Sequence, residues 1–285
     1  MSFINVGKEN SAGIDLYYED HGKGNPVVLI HGWPLSSASW EKQASALLDA
    51  SYRVVSYDRR GFGYSSKPTE GYNYDVLADD LNKVMTKLDL RYATLVGFSM
   101  GGGEVARYLG KYGPDRVSKA VFISAITPYL LKTAENPEGM DGNIFKGMKQ
   151  AVLADRPAFL TKFFHNFYNA DLLKGKKVSD EVLQLSWAVA AMASPVGTLE
   201  CIDAWGEDFR KDLESINVPV LVLHGGADRI VHYASSGKRM RSLITDCHME
   251  MIEGAPHGMN WTHAEEINKQ LISFLRIPEG KAKKK

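Results

Sequence analysis

The stretch TLVGFSMGGGEV, residues 94–105, decides the fold of this 285-residue chain. An apolar run at 93–96 predicts a strand, and residues 102–112 predict a helix that ends at a Gly-Pro pair. Between them, Gly97, Ser99 and Gly101 form the pattern G-x-S-x-G. A serine on a tight strand-to-helix turn projects its hydroxyl out of the sheet, and small residues two positions away let the turn close. The pattern alone is a weak signal, but in this context it predicts that Ser99 is a nucleophile.

Short apolar runs alternate with helix-length segments on both sides of this turn. The predicted strands are 3–7, 14–19, 27–30, 53–57, 93–96, 117–124, 218–223 and 247–252. The predicted helices among them are 39–48, 74–88, 102–112 and 264–275. The first two strands suggest a hairpin, whereas the later runs are continuously apolar, as in strands buried on both faces. This alternation predicts an α/β fold with a mainly parallel sheet and helices on both faces.

The pattern changes between the sixth and seventh predicted strands. Residues 125–212 contain no clear strand, and the segments 143–154, 156–168, 180–193 and 195–205 look helical. The sequence therefore predicts a core made of residues 1–124 and 213–278 and a helical cap at 125–212. Residues 279–285 form a basic C-terminal tail, which we expect to be a solvated end.

A nucleophilic serine needs a base, and in this kind of fold an acid and then a histidine follow it along the chain. His257 lies in the segment GAPHG, residues 254–258, directly after the last predicted strand. The flanking Gly and Pro suit a side chain held over the strand ends. Asp228 follows the preceding strand. We therefore expect Asp228 to be the acid and His257 the base.

Other residues compete for these two roles. His224 ends a strand and His31 immediately precedes a loop, so packing roles suit them better. Asp58 also follows a strand, but it precedes the serine and is interpreted as a residue that pairs with arginine or caps a turn. Glu253 remains a weaker alternative acid.

An oxyanion hole requires two backbone N–H groups. One is expected from Met100, which follows the nucleophile, and the other from Trp33 in the loop after an early strand. Gly32 permits a sharp turn there, and Pro34 has no N–H to offer. Each donor would stabilise the transition state by about 3 kcal/mol.

Four apolar residues are candidates for a substrate pocket under the cap. Phe163 and Phe167 are four apart on a predicted helix and therefore share a face. Ile126 follows the sixth strand and Ile230 lies two residues after Asp228, so both are expected near the strand ends. The alternative is that these side chains belong to the core of the cap.

Composition narrows the classes of function. Lys+Arg and Asp+Glu number 34 each, so the net charge is zero, which argues against general binding to nucleic acid or to anionic membranes. The two cysteines, Cys201 and Cys247, have no metal-ligand spacing, and no metal is expected. No signal-peptide pattern or membrane-length apolar run occurs near the first residue, which favours a cytoplasmic protein without a membrane partner.

Four motifs together resemble the α/β-hydrolase superfamily, and within it the cofactor-free haloperoxidase, arylesterase and perhydrolase group. They are HGWPLS at 31–36, YDRRGFG at 57–63, GFSMGGGEVARY at 97–108 and GAPHG at 254–258. The resemblance extends over residues 13–275. It implies an eight-stranded, mostly parallel sheet with a helical cap between strands six and seven. It also implies the roles expected above for Ser99, Asp228, His257, Trp33 and Met100, and no cofactor.

The implied activity is that of a serine carboxylesterase acting on aryl or short-chain esters through an acyl-enzyme. When hydrogen peroxide replaces water as co-substrate, the product is a peracid, which oxidises halide in solution. A hydrolase of lactones or γ-lactams and a slow-turnover ligand receptor of the same fold remain alternatives. Dehalogenases and epoxide hydrolases are disfavoured because they place an aspartate at the position of Ser99. The expected partner is a small ester, lactone or other acyl substrate, and a homo-oligomer stays open.

Overall fold

A computed structural model describes residues 1–278 of the chain. The basic tail expected at 279–285 lies outside the described residues. The eight strands are β1 Ser2–Glu9, β2 Ala12–His21, β3 Pro26–Ile30, β4 Arg53–Tyr57, β5 Ala93–Phe98, β6 Val117–Ile123, β7 Val220–Gly225 and β8 Cys247–Ile252. They form one sheet in the order β1-β2-β4-β3-β5-β6-β7-β8. Only the pairings of β2 with β1 and with β4 are antiparallel, so the predicted eight-stranded, mostly parallel sheet is confirmed.

Helices connect these strands. They are α1 Glu41–Asp49, α2 Tyr74–Lys87, α3 Met100–Tyr112, α4 Gly142–Phe167, α5 Ala170–Leu173, α6 Asp180–Ala191, α7 Pro195–Ala204, α8 Arg210–Glu214, α9 Gly237–Met240, α10 Met259–Thr262 and α11 Ala264–Leu275. Two short 3₁₀ helices cover Ser37–Trp40 and Tyr233–Ser235. The helices α4 to α8 all lie between β6 and β7, where the sequence predicts a helical insertion.

The centre of the sheet is apolar on both faces. Every residue of β3, β5 and β7 is buried, as expected for parallel strands covered by helices on both sides. The edge strand β8 instead contains exposed residues. The strand β7 begins two residues later than the sequence predicts, and the residue before it, Pro219, has no N–H to give to a ladder.

The sheet order creates a crevice at the carboxyl ends of β3 and β5. From β3 the chain runs to β4 on one side, whereas from β5 it runs to β6 on the other side. Ligands of open α/β sheets bind at such a switch point, just outside the carboxyl ends of the strands. The loop after β3 and the turn after β5 contain Trp33 and Ser99.

The longest helix, α4, is broken near its middle. Asp155 has φ −159° and ψ 86°, and Pro157 follows two residues later. The Asp155 carboxylate accepts a hydrogen bond from Ala158 N at 2.9 Å, as an N-cap does. The two helical segments predicted at 143–154 and 156–168 therefore correspond to the two halves of α4.

Among residues 1–278, no single helix is both long and apolar enough to cross a membrane. The helices α6 and α7 meet those criteria of length and composition only when taken together, and they are bent by 95° relative to each other.

Candidate active site

Ser99 occupies the tight turn between β5 and α3. Its backbone has φ 53° and ψ −116°, a region that side-chain-bearing residues rarely adopt. A methyl group on Gly97 would lie 2.5 Å from the carbonyl oxygen of Gly101, and one on Gly101 would collide with the carbonyl of Ile30. The turn can therefore close only with glycine at both positions, which explains the spacing of the G-x-S-x-G motif.

Ser99, His257 and Asp228 form a chain of hydrogen bonds. The Oγ of Ser99 lies 2.9 Å from Nε2 of His257, and Nδ1 of His257 lies 2.7 Å from Oδ2 of Asp228. All three residues are buried, and only 6% of the Ser99 surface is exposed. An ionised carboxylate can only accept, so Nδ1 carries the imidazole proton and Nε2 is left to accept the serine proton.

Asp228 is fixed as an ionised group. Its Oδ1 accepts hydrogen bonds from the backbone N–H groups of Ile230 and Val231, both at 2.9 Å. Burial by itself would raise the pKa of Asp228, but the adjacent His257 and His224 and the Val231 N–H outweigh it and lower the pKa below its ordinary value. The carboxylate can therefore orient His257 without taking its proton.

The competing residues lie apart from this chain of hydrogen bonds. His224 approaches Asp228 to 3.6 Å, but its Nε2 donates to the carbonyl of Val231, 2.8 Å away. Asp58 accepts from the backbone N–H groups of Ser37 and Tyr64, both at 2.8 Å, so it caps turns, as the second of its two expected roles requires. Glu253 is exposed.

His31 holds the loop that contains Trp33. Its Nε2 lies 3.0 Å from Arg59 N, which can only donate, so its Nδ1 carries the proton and donates to Gly32 O at 2.8 Å. Burial, together with Arg59, holds the pKa of His31 well below its ordinary value, which keeps the ring neutral. The N–H of a trans peptide points opposite to its carbonyl, so fixing Gly32 O also fixes the direction of the Trp33 N–H.

The two residues predicted to supply oxyanion donors, Trp33 and Met100, both lie next to Ser99. A methyl group on Gly32 would be 3.0 Å from the Ser99 Cβ, so the loop with Trp33 passes directly beside the serine. Met100 is the first residue of α3, and the first N–H groups of a helix have no acceptor within it. The Tyr74 hydroxyl donates to Met100 O at 3.0 Å and supports the same turn.

A buried ionic network lies next to the site and contacts the loop that contains Trp33. The sequence did not predict a role for its residues. Arg59 and Glu104 form an ion pair in which both side chains are 1% exposed, and the Tyr57 hydroxyl donates to Glu104 at 2.6 Å. Arg59 also donates to His31 O at 2.6 Å. The signal in the sequence was a glutamate among the glycines and apolar residues of the first turns of α3, close to the nucleophile.

A cavity of about 340 Å³ opens at Ser99 beneath the helices that follow β6. Three of the four predicted pocket residues, Ile126, Phe163 and Ile230, line it. The remaining lining residues are Trp33, Ser99, Leu130, Met140, Ile144, Phe145, Met148, Phe159, Lys162, Asn166, Trp205, Arg229 and Val231. Most of this wall comes from the helical insertion. Its apolar residues do not recur with a simple helical period, so the sequence does not show which side chains face the cavity.

The fourth predicted pocket residue, Phe167, lies elsewhere. Its ring centroid is 5.0 Å from that of His257, and Phe98 packs on the same imidazole at 5.1 Å. Phe167 does not line the cavity at Ser99 but holds the ring of His257. The four-residue spacing placed Phe163 and Phe167 on one face, but one helical turn separates the cavity from the histidine.

Within the described residues, no group of three or more His, Cys, Asp or Glu side chains is arranged to hold a metal ion.

Comparisons with known proteins show which family this chain resembles. The family model described as alpha/beta hydrolase fold matches residues 25–264. A protein of Synechocystis sp., whose name of non-heme chloroperoxidase is provisional, is 54% identical over 276 residues, which cover 97% of this chain and 100% of that protein. The bifunctional esterase/perhydrolase DCH of Acinetobacter calcoaceticus is 39% identical over 272 residues, with 93% of this chain and 97% of that protein covered.

A solved structure shows the same likeness. The crystal structure of bromoperoxidase from Bacillus anthracis has a TM-score of 0.93 to this chain at 49% identity. The match covers 97% of this chain and 99% of that one. The resemblance predicted from the four sequence motifs is confirmed.

Proposed function

Because the chain belongs to the alpha/beta hydrolase fold family, we propose that it is a serine carboxylesterase that also carries out perhydrolysis. The observation that carries the proposal is the hydrogen-bonded chain from Ser99 through His257 to Asp228 at the floor of an apolar cavity. The names of its relatives, which include an esterase/perhydrolase and a bromoperoxidase, agree with this activity.

In the first half of the reaction, Ser99 Oγ attacks the ester carbonyl while His257 Nε2 takes the serine proton. The negative charge that develops on the carbonyl oxygen is stabilised by the backbone N–H groups of Trp33 and Met100. His257 then gives its proton to the leaving alcohol, and the C–O bond to the alcohol breaks. The product is an acyl group bound to Ser99.

In the second half, water or hydrogen peroxide attacks the acyl-enzyme. His257 takes a proton from the attacking molecule and returns it to Ser99 as the acyl bond breaks. Water releases a carboxylic acid, whereas hydrogen peroxide releases a peracid. The peracid then oxidises halide in solution to hypohalous acid, and the carboxylic acid is regenerated.

We also propose that the helices between β6 and β7 act as a cap over the active site. They supply most of the apolar wall of the cavity, so they set which acyl groups reach Ser99. The lactonase and receptor alternatives use the same residues and differ in the ester that is turned over or in the rate.

The test is a panel of p-nitrophenyl esters and lactones, assayed with and without hydrogen peroxide, on the wild type and on Ser99→Ala. The wild type is expected to hydrolyse short esters and to form peracid with peroxide. The variant should lose at least about three powers of ten in rate while its circular dichroism stays unchanged. Mass mapping after treatment with a sulfonyl fluoride should find the label on Ser99.

A near-normal rate for the purified variant would overturn the role of Ser99. Binding of an ester without turnover in the wild type would favour the receptor, and exclusive turnover of cyclic esters would favour the lactonase.

A further inference from the structure

The cavity at Ser99 has an uneven distribution of charge. Among residues 1–278, sixteen line the cavity; two of them are cations, Lys162 and Arg229, and none is an aspartate or glutamate. Apart from Ser99 and Asn166, the other lining side chains are apolar or aromatic. Because the whole chain has no net charge, this local excess of positive charge is a property of the cavity and not of the surface in general.

The two cations are not equivalent. Arg229 forms a two-point ion pair with Asp171 of α5, with N–O distances of 2.7 and 3.1 Å, so its charge is balanced. Lys162 has no acidic partner within 4.0 Å among residues 1–278. The uncompensated charge of the cavity is therefore that of Lys162.

Lys162 is placed on the part of α4 that forms the wall. Phe159 precedes it by three residues and Asn166 follows it by four, so the three residues occupy adjacent positions on one side of the helix. All three line the cavity together with Ser99. An acyl chain that lies along this wall from Ser99 thus meets apolar side chains along its length and has an ammonium and an amide within the same cavity.

We infer that the cavity selects esters whose acyl chain carries an anionic group at its far end, such as half-esters of α,ω-dicarboxylic acids, and that Lys162 binds this anion. The inference rests on the proposed function and names its substrate class. Arg229 does not have this role because its guanidinium is already paired with Asp171. An ion pair with the substrate persists through the reaction, so it lowers KM and does not raise kcat.

The experiment compares monomethyl esters of medium-chain dicarboxylic acids with methyl esters of monocarboxylic acids of the same length. In the wild type, KM for the half-ester is expected to be about fivefold lower than for the neutral ester, the upper end of the effect of one ion pair to an exposed lysine. Lys162→Met keeps the apolar part of the side chain but removes the charge, so the two esters should then have similar KM values. Lys162→Arg keeps the charge and should retain the lower KM for the half-ester. The ratio should also shrink at high salt because ions screen the pair.

Lys87 on α2 supplies the matched control. It is exposed and does not line the cavity, so Lys87→Met should leave the KM ratio of the wild type unchanged. Acetate esters of ω-hydroxy acids place the carboxylate on the alcohol side instead. If these esters show the dependence on Lys162 and the half-esters do not, the assignment to the acyl chain is wrong.

Failure of the inference and failure of the proposed function give different results. Hydrolysis of both ester series with a KM ratio that Lys162→Met does not change overturns the inference and leaves the esterase standing. If no ester is hydrolysed, the esterase fails, and binding of a free dicarboxylate still tests Lys162. Trp33 and Trp205 line the cavity, so their fluorescence should report this binding, and an equal affinity in Lys162→Met would overturn the inference.

Discussion

His224 shows how a single buried residue makes the stability of the site depend on pH. Its side chain is fully buried on β7, Nε2 contacts Val231 O at 2.8 Å, and Nδ1 has no hydrogen-bond partner among the described residues. Burial lowers the pKa of His224, and Asp228 and the Val231 carbonyl only partly oppose this, while His257 and His232 add to it. The folded protein therefore keeps this imidazole neutral under conditions where an unfolded chain would protonate it.

We predict that His224→Phe is less sensitive to mild acid than the wild type. A histidine with a lowered pKa contributes stability above its unfolded pKa of about 6.5, and this contribution is lost as pH falls toward the folded value. Below about pH 6.5, the unfolding free energy of the wild type should fall relative to the variant by up to about 1.4 kcal/mol per pH unit. Urea unfolding at a series of pH values measures this difference.

The exposed residue His21 is the control for this prediction. Its side chain is 61% exposed, so His21→Gln should follow the wild type at every pH. A constant difference in unfolding free energy between His224→Phe and the wild type across this range would show that His224 does not titrate on unfolding.

At this scale the sequence indicated which residues lie close together better than it indicated their hydrogen bonds. Ser99, Asp228 and His257 each follow a strand, and the ends of parallel strands meet at one edge of the sheet, so their proximity follows from strand order. The proton position on His31 could not be predicted, because it depends on the backbone N–H of Arg59, 28 residues away. Contacts of that kind leave no periodic pattern in a sequence.

At the scale of elements, the second half of α4 combines two tasks. Phe159 and Phe163 stack at a centroid distance of 5.9 Å and line the cavity, whereas Phe167 packs on His257 one turn later. Asp155 and Pro157 break α4 before this segment, which the sequence predicts as a separate helix. The sequence could not predict which of these side chains lines the cavity and which contacts His257, because this depends on where the sheet ends beneath the helix.

We predict opposite kinetic signatures for Phe163→Ala and Phe167→Ala. Shortening Phe163 enlarges the cavity, so kcat/KM should shift toward longer acyl chains. Shortening Phe167 removes a contact of His257, so kcat should fall for all chain lengths alike. Both residues are buried, and each change should cost about 3–5 kcal/mol of stability, so each variant serves as the stability control for the other. Kinetics on a series of p-nitrophenyl esters checks the prediction, and the same profile for both variants would contradict it.

The loop between β6 and α4 could not be predicted from sequence patterns. It contributes Leu130 and Met140 to the cavity, and Met140 N donates to Leu130 O at 2.6 Å. The Asn136 side chain holds it by donating to Tyr129 O and Leu131 O, at 2.8 and 2.7 Å. Side-chain bonds of this kind replace the repeating bonds of a strand, so hydrophobic periodicity could not locate these two lining residues.

At the scale of the molecule, Trp33 connects the sheet to the helices that cover it. Its backbone belongs to the loop after β3, while its indole packs on Phe163 of α4 at 5.1 Å and on Trp205 at 4.8 Å. The indole Nε1 also donates to Thr198 O of α7 at 3.0 Å. The residue proposed as an oxyanion donor thus fixes the position of the cavity wall, so the geometry at Ser99 and the shape of the cavity are coupled through one side chain.

Trp205 offers a matched comparison that isolates this hydrogen bond. Trp33 and Trp205 are both buried and face each other, but Trp205 Nε1 has no partner among the residues that the structure describes. Trp33→Phe and Trp205→Phe remove the same atoms from adjacent places, so their losses of packing are similar. Only Trp33→Phe removes a bond between the loop after β3 and α7, whereas Trp205→Phe removes a buried donor that is already unpaired.

We therefore predict that Trp33→Phe is less stable than Trp205→Phe by about 1 kcal/mol, the net contribution of one buried hydrogen bond. Urea unfolding of the two variants measures the difference. Limited proteolysis should cleave residues 125–212 faster in Trp33→Phe, because the helices there lose an attachment to the sheet. Both variants keep the backbone N–H of residue 33, so both should retain far more esterase activity than Ser99→Ala. Equal stability of the two, or a lower stability of Trp205→Phe, would show that the bond to Thr198 does not hold the helices onto the sheet.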